Sequence, residues 1–465
     1  MNLPEVNLLE QPNFSDHLQT LTARWQEALD ATGYSTAVIA AGVNQNYFLD
    51  DQAPTYRPNP HFAQWFPSSA TEHCEMLVRP GLEPLLLFYQ PADYWHLPPS
   101  VPDWAQNQFE IERHTSLEEL ANARNAHLSS VSNTKGANSV AWVGPQAPDT
   151  TTKNAPATTH NPAELIAHLD FLRDQKTEFE IAAMREATRN AVAGHIKARE
   201  AFFAGACEYD IYMEFLKATG NTEGQLPYSS IVALNDHGGV LHYQHYDKTK
   251  PTAHLSFLID AGASHLGYAS DITRTYSSAG GKVAGSAESA PDEFAALIEA
   301  LDVCQLQLIE SIKPQMSYAD LHGRMIDRIA ALLVEHNLLT CSADEAIASR
   351  HADPFMPHGL GHLIGLQTHD VGGQIANTRG DAAPPDERFP ALRLTRSMRT
   401  NSVFTIEPGI YFIPMLLDEL RETNAPINWT LIDRLMPCGG IRIEDNIWLT
   451  EAGAINLTRE AFDAA

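Results

Sequence analysis

Four acidic residues constrain what this 465-residue chain can fold into, because each sits on or beside a short apolar run that reads as a buried strand. Asp260 ends Leu255-Ser256-Phe257-Leu258-Ile259-Asp260, and Asp271 lies in Ser270-Asp271-Ile272-Thr273-Arg274-Thr275. Glu407 follows Val403-Phe404-Thr405-Ile406, and Glu444 lies in Gly440-Ile441-Arg442-Ile443-Glu444. A carboxylate in such surroundings is costly to bury without a compensating charge. Singly, each acid has an ordinary explanation: strand-end Asp residues cap turns, and Arg442 is available to pair with Glu444. A glycine-spaced run, His358-Gly359-Leu360-Gly361-His362 with Thr368-His369-Asp370 close behind, favours a shared explanation. One imidazole and four carboxylates suit two hard or borderline divalent cations, leaving the other histidines for a substrate. That is the layout of a hydrolase.

Asp260 and Asp271 are eleven positions apart, enough for two adjacent antiparallel strands joined by a turn at Ala263–Gly267. Neighbouring strands lie about 4.8 Å apart, so carboxylates on one face can hold metals about 4 Å apart. Helical spacing marks Leu18, Leu21, Trp25 and Leu29 after Ser15 as N-cap. Thr177 to Glu180 forms a capping box opening a long helix, and two amphipathic helices follow, through Phe294–Leu308 and, after Ser317, Leu321–Ile329. Thr36–Ala41, Leu85–Tyr89 and Ser139–Val143 read as strands of a small α/β domain. Tyr56–Pro67 reads as an aromatic-rich loop, open to a partner or packed on itself. The Pro/Thr/Asn/Ala-rich stretch Gly144–Pro162 is an exposed connection, placing a boundary between domains 1–165 and 166–465. Strands at Leu255–Asp260, Tyr268–Tyr276, Val403–Glu407 and Gly440–Leu449, segregated from the helices, predict an α+β second domain.

The net charge of −27 argues against nucleic acid or an anionic membrane as partner. Five cysteines without a close pair suggest reduced thiols. With no signal-peptide pattern and no apolar run of about 20 residues, the expectation is a cytoplasmic protein.

The runs FLIDAG, SDITRT, PHGLGHLIGLQTHD, TIEPG and GIRIEDN together resemble the prolidase/aminopeptidase P group of the pita-bread metallopeptidases. FLDDQ, NPHFAQWFP and Tyr94-Trp95-His96 resemble, more narrowly, the bacterial proline dipeptidases that include the organophosphorus acid anhydrolases. The resemblance spans nearly the whole chain. It implies a curved antiparallel sheet covered by helices, with Asp260 on one metal, His362 and Glu407 on the other, and Asp271 and Glu444 bridging. Four oxygen ligands and one imidazole suit manganese. Glu407 is then the general base and acid, and His369 stabilises the oxyanion. His358 and His242 line the prolyl pocket, with Tyr228 and Leu241 as further walls, and Arg442 helps hold the substrate's C-terminal carboxylate. Thr368 stands where the family usually has Val or Ile and can alter the pocket for the residue before proline. Asp51, or the adjacent Asp50, is expected to reach the substrate amine from a second subunit, implying a homodimer. The implied reaction is hydrolysis of Xaa-Pro dipeptides. Alternatives are aminopeptidase P activity on longer peptides, a side activity on organophosphorus esters, or a metal-free binding protein, although the last would not keep all five ligands.

Overall fold

The computed structural model of the chain describes residues 13–131, 140–147, 158–281 and 283–465. They fall into two compact units: 1–183 with 375–381, and 184–374 with 382–465.

The first unit is built on a mixed sheet of β1 (Thr36–Ala40), β2 (Glu75–Val78), β3 (Leu85–Tyr89), β4 (Glu110–His114), β5 (Val140–Val143) and β6 (Thr158–His160), in the order β4-β3-β2-β1-β5-β6. Helices α1 (Phe14–Thr32), α2 (Pro60–Ala63), α3 (Leu117–Val131) and α4 (Ala163–Arg173) complete it. In α1 the stripe Leu18, Leu21, Trp25 and Leu29 is buried as its spacing predicts. Ser15 is not the N-cap, however. Phe14 is buried against the rings of Trp104 and Phe179, which draws it into the first turn and leaves Asn13 as cap. The aromatic loop packs into the first unit: Phe62, Trp65 and Phe66 are wholly buried, Phe66 lies against the rings of Phe88, Trp104 and Phe109, and Asn59 accepts a bond from the His61 N–H to start α2. β2 escapes the sequence pattern because Glu75 interrupts its apolar run. Glu75 is buried beside Arg124 at 2.7 Å, and burial pushes its carboxyl up to about 7 against that pairing. It is the ordinary buried ion pair that any acid in a strand can form. α4 packs on α1 within the first unit. Residues 148–157 of the polar connection lie outside those described.

Helix α5 (Glu178–Phe203) opens on the expected capping box: the Thr177 N–H donates to Glu180 Oε2 (2.8 Å), and the Glu180 N–H to Thr177 Oγ1 (3.4 Å). The second unit then adds α6 (Glu208–Thr219), α7 (Asp292–Glu310), α8 (Tyr318–Glu335), α9 (Ala343–Ala348), α10 (Pro414–Glu422), α11 (Trp429–Leu435) and α12 (Leu457–Asp463). Its strands are β7 (Ile231–Leu234), β8 (Ser256–Asp260), β9 (Ser264–His265), β10 (Tyr268–Ala269), β11 (Thr273–Ser277), β12 (Val403–Ile406), β13 (Gly409–Tyr411), β14 (Gly440–Arg442), β15 (Asp445–Thr450) and β16 (Gly453–Asn456). Every pairing among them is antiparallel, in the sets β11-β8-β7, β12-β15-β16, β13-β14 and β10-β9. Single bridges at Thr273–Glu444 and Leu363–Phe404 tie further segments to these strands. α7 and α8 bury Phe294, Leu297, Leu301, Leu321, Met325 and Ile329 in one core with Phe404, Ile406, Ile441 and Ile447. Ser317 caps α8 by accepting from the Asp320 N–H. Helices on an antiparallel sheet make this the α+β unit the sequence predicts.

Two strands expected to be continuous are interrupted. Tyr268–Tyr276 breaks between β10 and β11, and Gly440–Leu449 breaks between β14 and β15. At both breaks isolated bonds between neighbouring segments replace regular pairing: the Ala261 N–H donates to Ile272 C=O (3.0 Å), and the Glu444 N–H to Thr273 C=O (3.0 Å). Asp271 and Glu444 occupy these gaps, and Glu407 comes directly after β12, so all three acids escape strict alternation between faces.

Candidate metal centre and active site

Asp271, His362 and Glu444 each offer a ligand atom, and these atoms lie within 4.8 Å of one another. From His362 Nε2 it is 3.4 Å to Asp271 Oδ2, 3.8 Å to Glu407 Oε1 and 4.0 Å to Glu444 Oε1. The tautomer follows from the other ring nitrogen. Nδ1 lies 2.9 Å from Leu363 C=O, which can only accept, so Nδ1 carries the proton and Nε2 presents its lone pair to the acids.

The local backbone explains how His362 and Glu407 meet. The segment 360–362 runs beside β12: the Thr405 N–H donates to His362 C=O (2.9 Å) and the Glu407 N–H to Leu360 C=O (2.8 Å). The His362 N–H returns a bond to Thr405 Oγ1 (3.2 Å), and the Tyr318 hydroxyl donates to Thr405 C=O (2.7 Å). Gly361 sits at φ +155°, and a Cβ there would lie 2.3 Å from Thr405 O and 2.4 Å from Tyr318 Oη.

Asp260 ends β8 opposite Thr273 and stands beside Asp271, with Tyr228 joining the two. The Tyr228 hydroxyl lies 2.8 Å from Asp260 Oδ1 and 2.5 Å from Asp271 Oδ1, so its single proton is shared between the two acids and Tyr228 is more than a pocket wall. Asn446, with its amide oriented to satisfy both partners, donates to Asp271 C=O (3.0 Å) and accepts from its N–H (3.2 Å).

The electrostatics separate these acids from their neighbours. Asp445, next to Glu444, is fully buried, but Arg274 (2.7 Å) and Arg459 (2.8 Å) bind it. Although burial opposes its charge, those arginines hold its carboxyl below the usual range. Among the described residues no arginine or lysine pairs with the Glu444 carboxylate, although Arg274 Nη1 donates to the Glu444 backbone C=O (2.9 Å). Its Oε2 accepts from Thr273 Oγ1 (2.8 Å), while Oε1 is buried with no hydrogen-bond partner. Burial, then Asp271 and Asp260, drive the Glu444 carboxyl well above the usual range. Burial and Asp260 do the same to Asp271, and burial and Glu444 to Glu407. Mutually repelling acids, an inward imidazole lone pair and an unpartnered buried oxygen are a donor set that divalent cations complete.

Arg442 is buried and largely committed within the site. Nη2 lies 2.7 Å from Asp260 Oδ2, Nη1 donates to Tyr411 Oη (2.7 Å), and Nε donates to Thr273 Oγ1 (3.1 Å). That leaves two of a guanidinium's five N–H donors. It pairs with Asp260, not with Glu444. His358 Nε2 meets Tyr411 Oη at 2.9 Å, and burial, with Arg442 next, lowers its imidazole to about 3. His369 stands against His362, ring centroids 4.4 Å apart, with an exposed edge. Desolvation of its inner side, followed by His362, lowers it to about 3. His242 is exposed and close enough for its charge to act on His369, and Leu241 is half-buried. Thr368 Oγ1 is enclosed without a hydrogen-bond partner. Asp51 is on an exposed loop of the first unit, bonded to Gln52 Nε2, and Asp50 accepts from the Gln52 N–H. The sequence reading missed Tyr411, Tyr318, Thr273 and Asn446. Each falls within or just after a motif already noted, except Tyr318, which has no local signal beyond opening α8.

Such a donor set in such a fold defines a metal-dependent hydrolase. The chain belongs to the family described as Metallopeptidase family M24, which residues 182–451 match. Residues 12–171 match the Xaa-Pro dipeptidase N-terminal domain. The chain is 40% identical over 474 residues to a Xaa-Pro dipeptidase of Xanthomonas oryzae pv. oryzae, covering all of both chains. It is 41% identical to a Xaa-Pro dipeptidase of Aeromonas hydrophila, covering 96% of this chain and 98% of that one. Among solved structures, Escherichia coli aminopeptidase P in its low-pH form superposes with a TM-score of 0.71 at 22% identity, covering 96% of this chain and 95% of that one. Proline aminopeptidase P II from Yersinia pestis gives 0.70 at 21%, with 96% of each covered. The pita-bread fold expected of the second domain is therefore present.

Proposed function

We propose that this chain hydrolyses the imide bond of Xaa-Pro dipeptides using two divalent cations held by Asp260, Asp271, His362, Glu407 and Glu444. The observation that carries this reading is the clustering of ligand atoms of Asp271, His362 and Glu444 within 4.8 Å of one another, with Glu444 Oε1 buried and lacking a hydrogen-bond partner. Identity of 40% along the full length to a Xaa-Pro dipeptidase supports the substrate class. When bound, the cations supply Lewis acidity toward water and the scissile carbonyl.

Glu407, half-sheltered between His362 and His358, takes the proton of the attacking water and passes it to the leaving proline nitrogen. His369, neutral with an exposed edge, donates to the developing oxyanion. His358, His242 and Leu241 border the prolyl ring, and the two remaining donors of Arg442 face its carboxylate. Thr368 lies beside the residue preceding proline. The domain division near residue 165, a homodimer in which Asp51 of each chain reaches the other's substrate amine, manganese as metal and a cytoplasmic location belong to the same reading. Among the described residues no helix is long and apolar enough to cross a membrane, and all five cysteines are free.

The test is a peptide panel after chelation, with and without added Mn²⁺. Leu-Pro and Ala-Pro should be cleaved only after metal is restored, at least about tenfold better in kcat/KM than matched Xaa-Pro-Xaa tripeptides. Preference for the tripeptides would make the chain an aminopeptidase P. Cleavage of a P–F or P–O ester by the Mn²⁺ form would establish the organophosphorus side activity, and its absence would dispose of it. Because the acids hold protons in the metal-free site, metal uptake should release protons and tighten as pH rises, which calorimetry in buffers of different ionisation enthalpy measures.

A further inference from the structure

The buried face of α7, formed by Phe294, Leu297, Leu301 and Leu308, has a polar member in Gln305, which is wholly inaccessible to solvent. An amide in a core is costly unless its donors and its acceptor are met. Here they are. Nε2 donates to Ile406 C=O (2.8 Å) and to Ile443 C=O (3.2 Å), and Oε1 accepts from Arg459 Nη2 (3.1 Å). Arg459 is itself held by Asp445 and Asp302, so it settles which end of the amide faces the carbonyls.

The two carbonyls belong to the residues just before Glu407 and Glu444. A peptide unit is planar, so each carbonyl shares its plane with the N–H of the acid that follows. Those N–H groups are held as well: Glu407 N–H donates to Leu360 C=O (2.8 Å) and Glu444 N–H to Thr273 C=O (3.0 Å). Each acid therefore departs from a peptide plane pinned at both edges, which fixes its Cα and narrows the directions its side chain can take. Gln305 is common to both planes. A direct bond from Ile443 N–H to Pro408 C=O (3.2 Å) is a second tie between the segments. The buried carboxylates repel one another, so these ties work against a force that would part them.

We propose that Gln305 is a positioning residue: through one amide it sets the peptide planes of Glu407 and Glu444 and preforms the part of the metal centre that these two carboxylates supply. This rests on the two-cation reading above. Without the amide the segments keep their direct bond, so the fold survives, but the carboxylates must be drawn together by the metal itself. The loss then appears in metal capture and not in the chemical step.

Gln305→Met keeps the bulk of the side chain and removes the amide. Titrated with Mn²⁺ after chelation, the variant should hold the weaker of its two cations at least about tenfold less tightly than the wild type. At two equivalents of Mn²⁺ its electron paramagnetic resonance spectrum should show the hyperfine lines of uncoupled Mn²⁺ in place of the broad signal of a coupled pair. At saturating Mn²⁺, kcat for the best-cleaved peptide should return to within about threefold of the wild type, because every ligand is still present. Unchanged affinity, or a loss of kcat that saturating metal does not restore, would overturn the proposal. If Gln305→Met does not fold, Arg459→Met replaces it in the titration. That variant frees the amide to turn without removing it, and should weaken Mn²⁺ binding about threefold or more; unaltered affinity there overturns the proposal equally. Hydrogen exchange of the chelated full chain separates this claim from the two-cation reading. The Glu407 and Glu444 amides should open faster in Gln305→Met than in the wild type, and equal rates overturn the positioning role whatever the metal count. A wild type that takes up a single Mn²⁺, with those amides still opening faster in the variant, counts only against the two-cation reading.

Discussion

Asp271→Ala should lose at least about a thousandfold in kcat/KM for Leu-Pro, since removing a ligand forfeits several kcal/mol of transition-state stabilisation. It should also fail to take up its full metal complement after chelation and Mn²⁺ reconstitution. The metal-free protein should nevertheless melt no lower than the wild type. Asp271 is buried beside Asp260, and burial followed by Asp260 raises its carboxyl well above the usual range. In the absence of cations such a group opposes folding at neutral pH. The sign is definite: a carboxyl whose folded value exceeds its unfolded one lends stability below the ordinary carboxylate range, about 4, and that stability is lost as pH rises. Melting of the chelated wild type should therefore fall as pH rises above about 4, and less so in Asp271→Ala. Full activity in the reconstituted variant, or a large loss of metal-free stability, would count against the assignment. Glu444→Ala should behave alike, with one difference. Thr273 Oγ1 would lose its acceptor at Oε2, so some of the stability gained by removing the charge is given back.

These acids were legible because burial of charge is written into short-range sequence. A carboxylate among Val, Ile and Phe needs a partner wherever it lands, and Asp260, Asp271, Glu407 and Glu444 each show that conflict locally. What the sequence could not convey is which partner wins. Glu75 and Asp445 present the same local pattern and are satisfied by arginines on other elements, Arg124, Arg274 and Arg459. The same limit applies to Arg442, whose neighbour in sequence is Glu444 but whose partner in space is Asp260 across the sheet. Tyr411 was invisible for a related reason: an aromatic in a strand after TIEPG is ordinary core until its hydroxyl is seen between Arg442 and His358. Regular strands were read too long at 268–276 and 440–449, because periodicity cannot register a break held by bonds from neighbouring segments to Ile272 and Thr273.

Gly361→Ala should abolish activity by a route opposite to that of the ligand variants, with stability and catalysis lost together. At φ +155° an L-residue is strained, which costs about 1–3 kcal/mol. The added Cβ would lie 2.3 Å from Thr405 O, 2.4 Å from Tyr318 Oη and 2.6 Å from Thr405 Oγ1. None of these can yield cheaply. Thr405 O belongs to the backbone of β12 and accepts the Tyr318 hydroxyl, and Thr405 Oγ1 accepts the His362 N–H. Overpacking of this kind adds about 1–3 kcal/mol, so the total of about 2–6 kcal/mol should lower the melting temperature by several degrees or more. The segment can relieve the clash only by moving away from β12. That movement breaks the bonds from Thr405 to His362 and from Glu407 to Leu360, which bring the imidazole and the carboxylate together. Gly359→Ala is the matched comparison, because its Cβ would meet Leu392 Cα and Ala391 O at 3.1 and 3.2 Å, contacts a small shift can relieve. Thermal melting and metal content measured on both variants decide the matter. If Gly361→Ala melted like the wild type with full metal, the close packing of this loop on β12 would not be what sets the site. A variant that kept its metal but lost stability would separate the fold of the loop from the placement of its ligand.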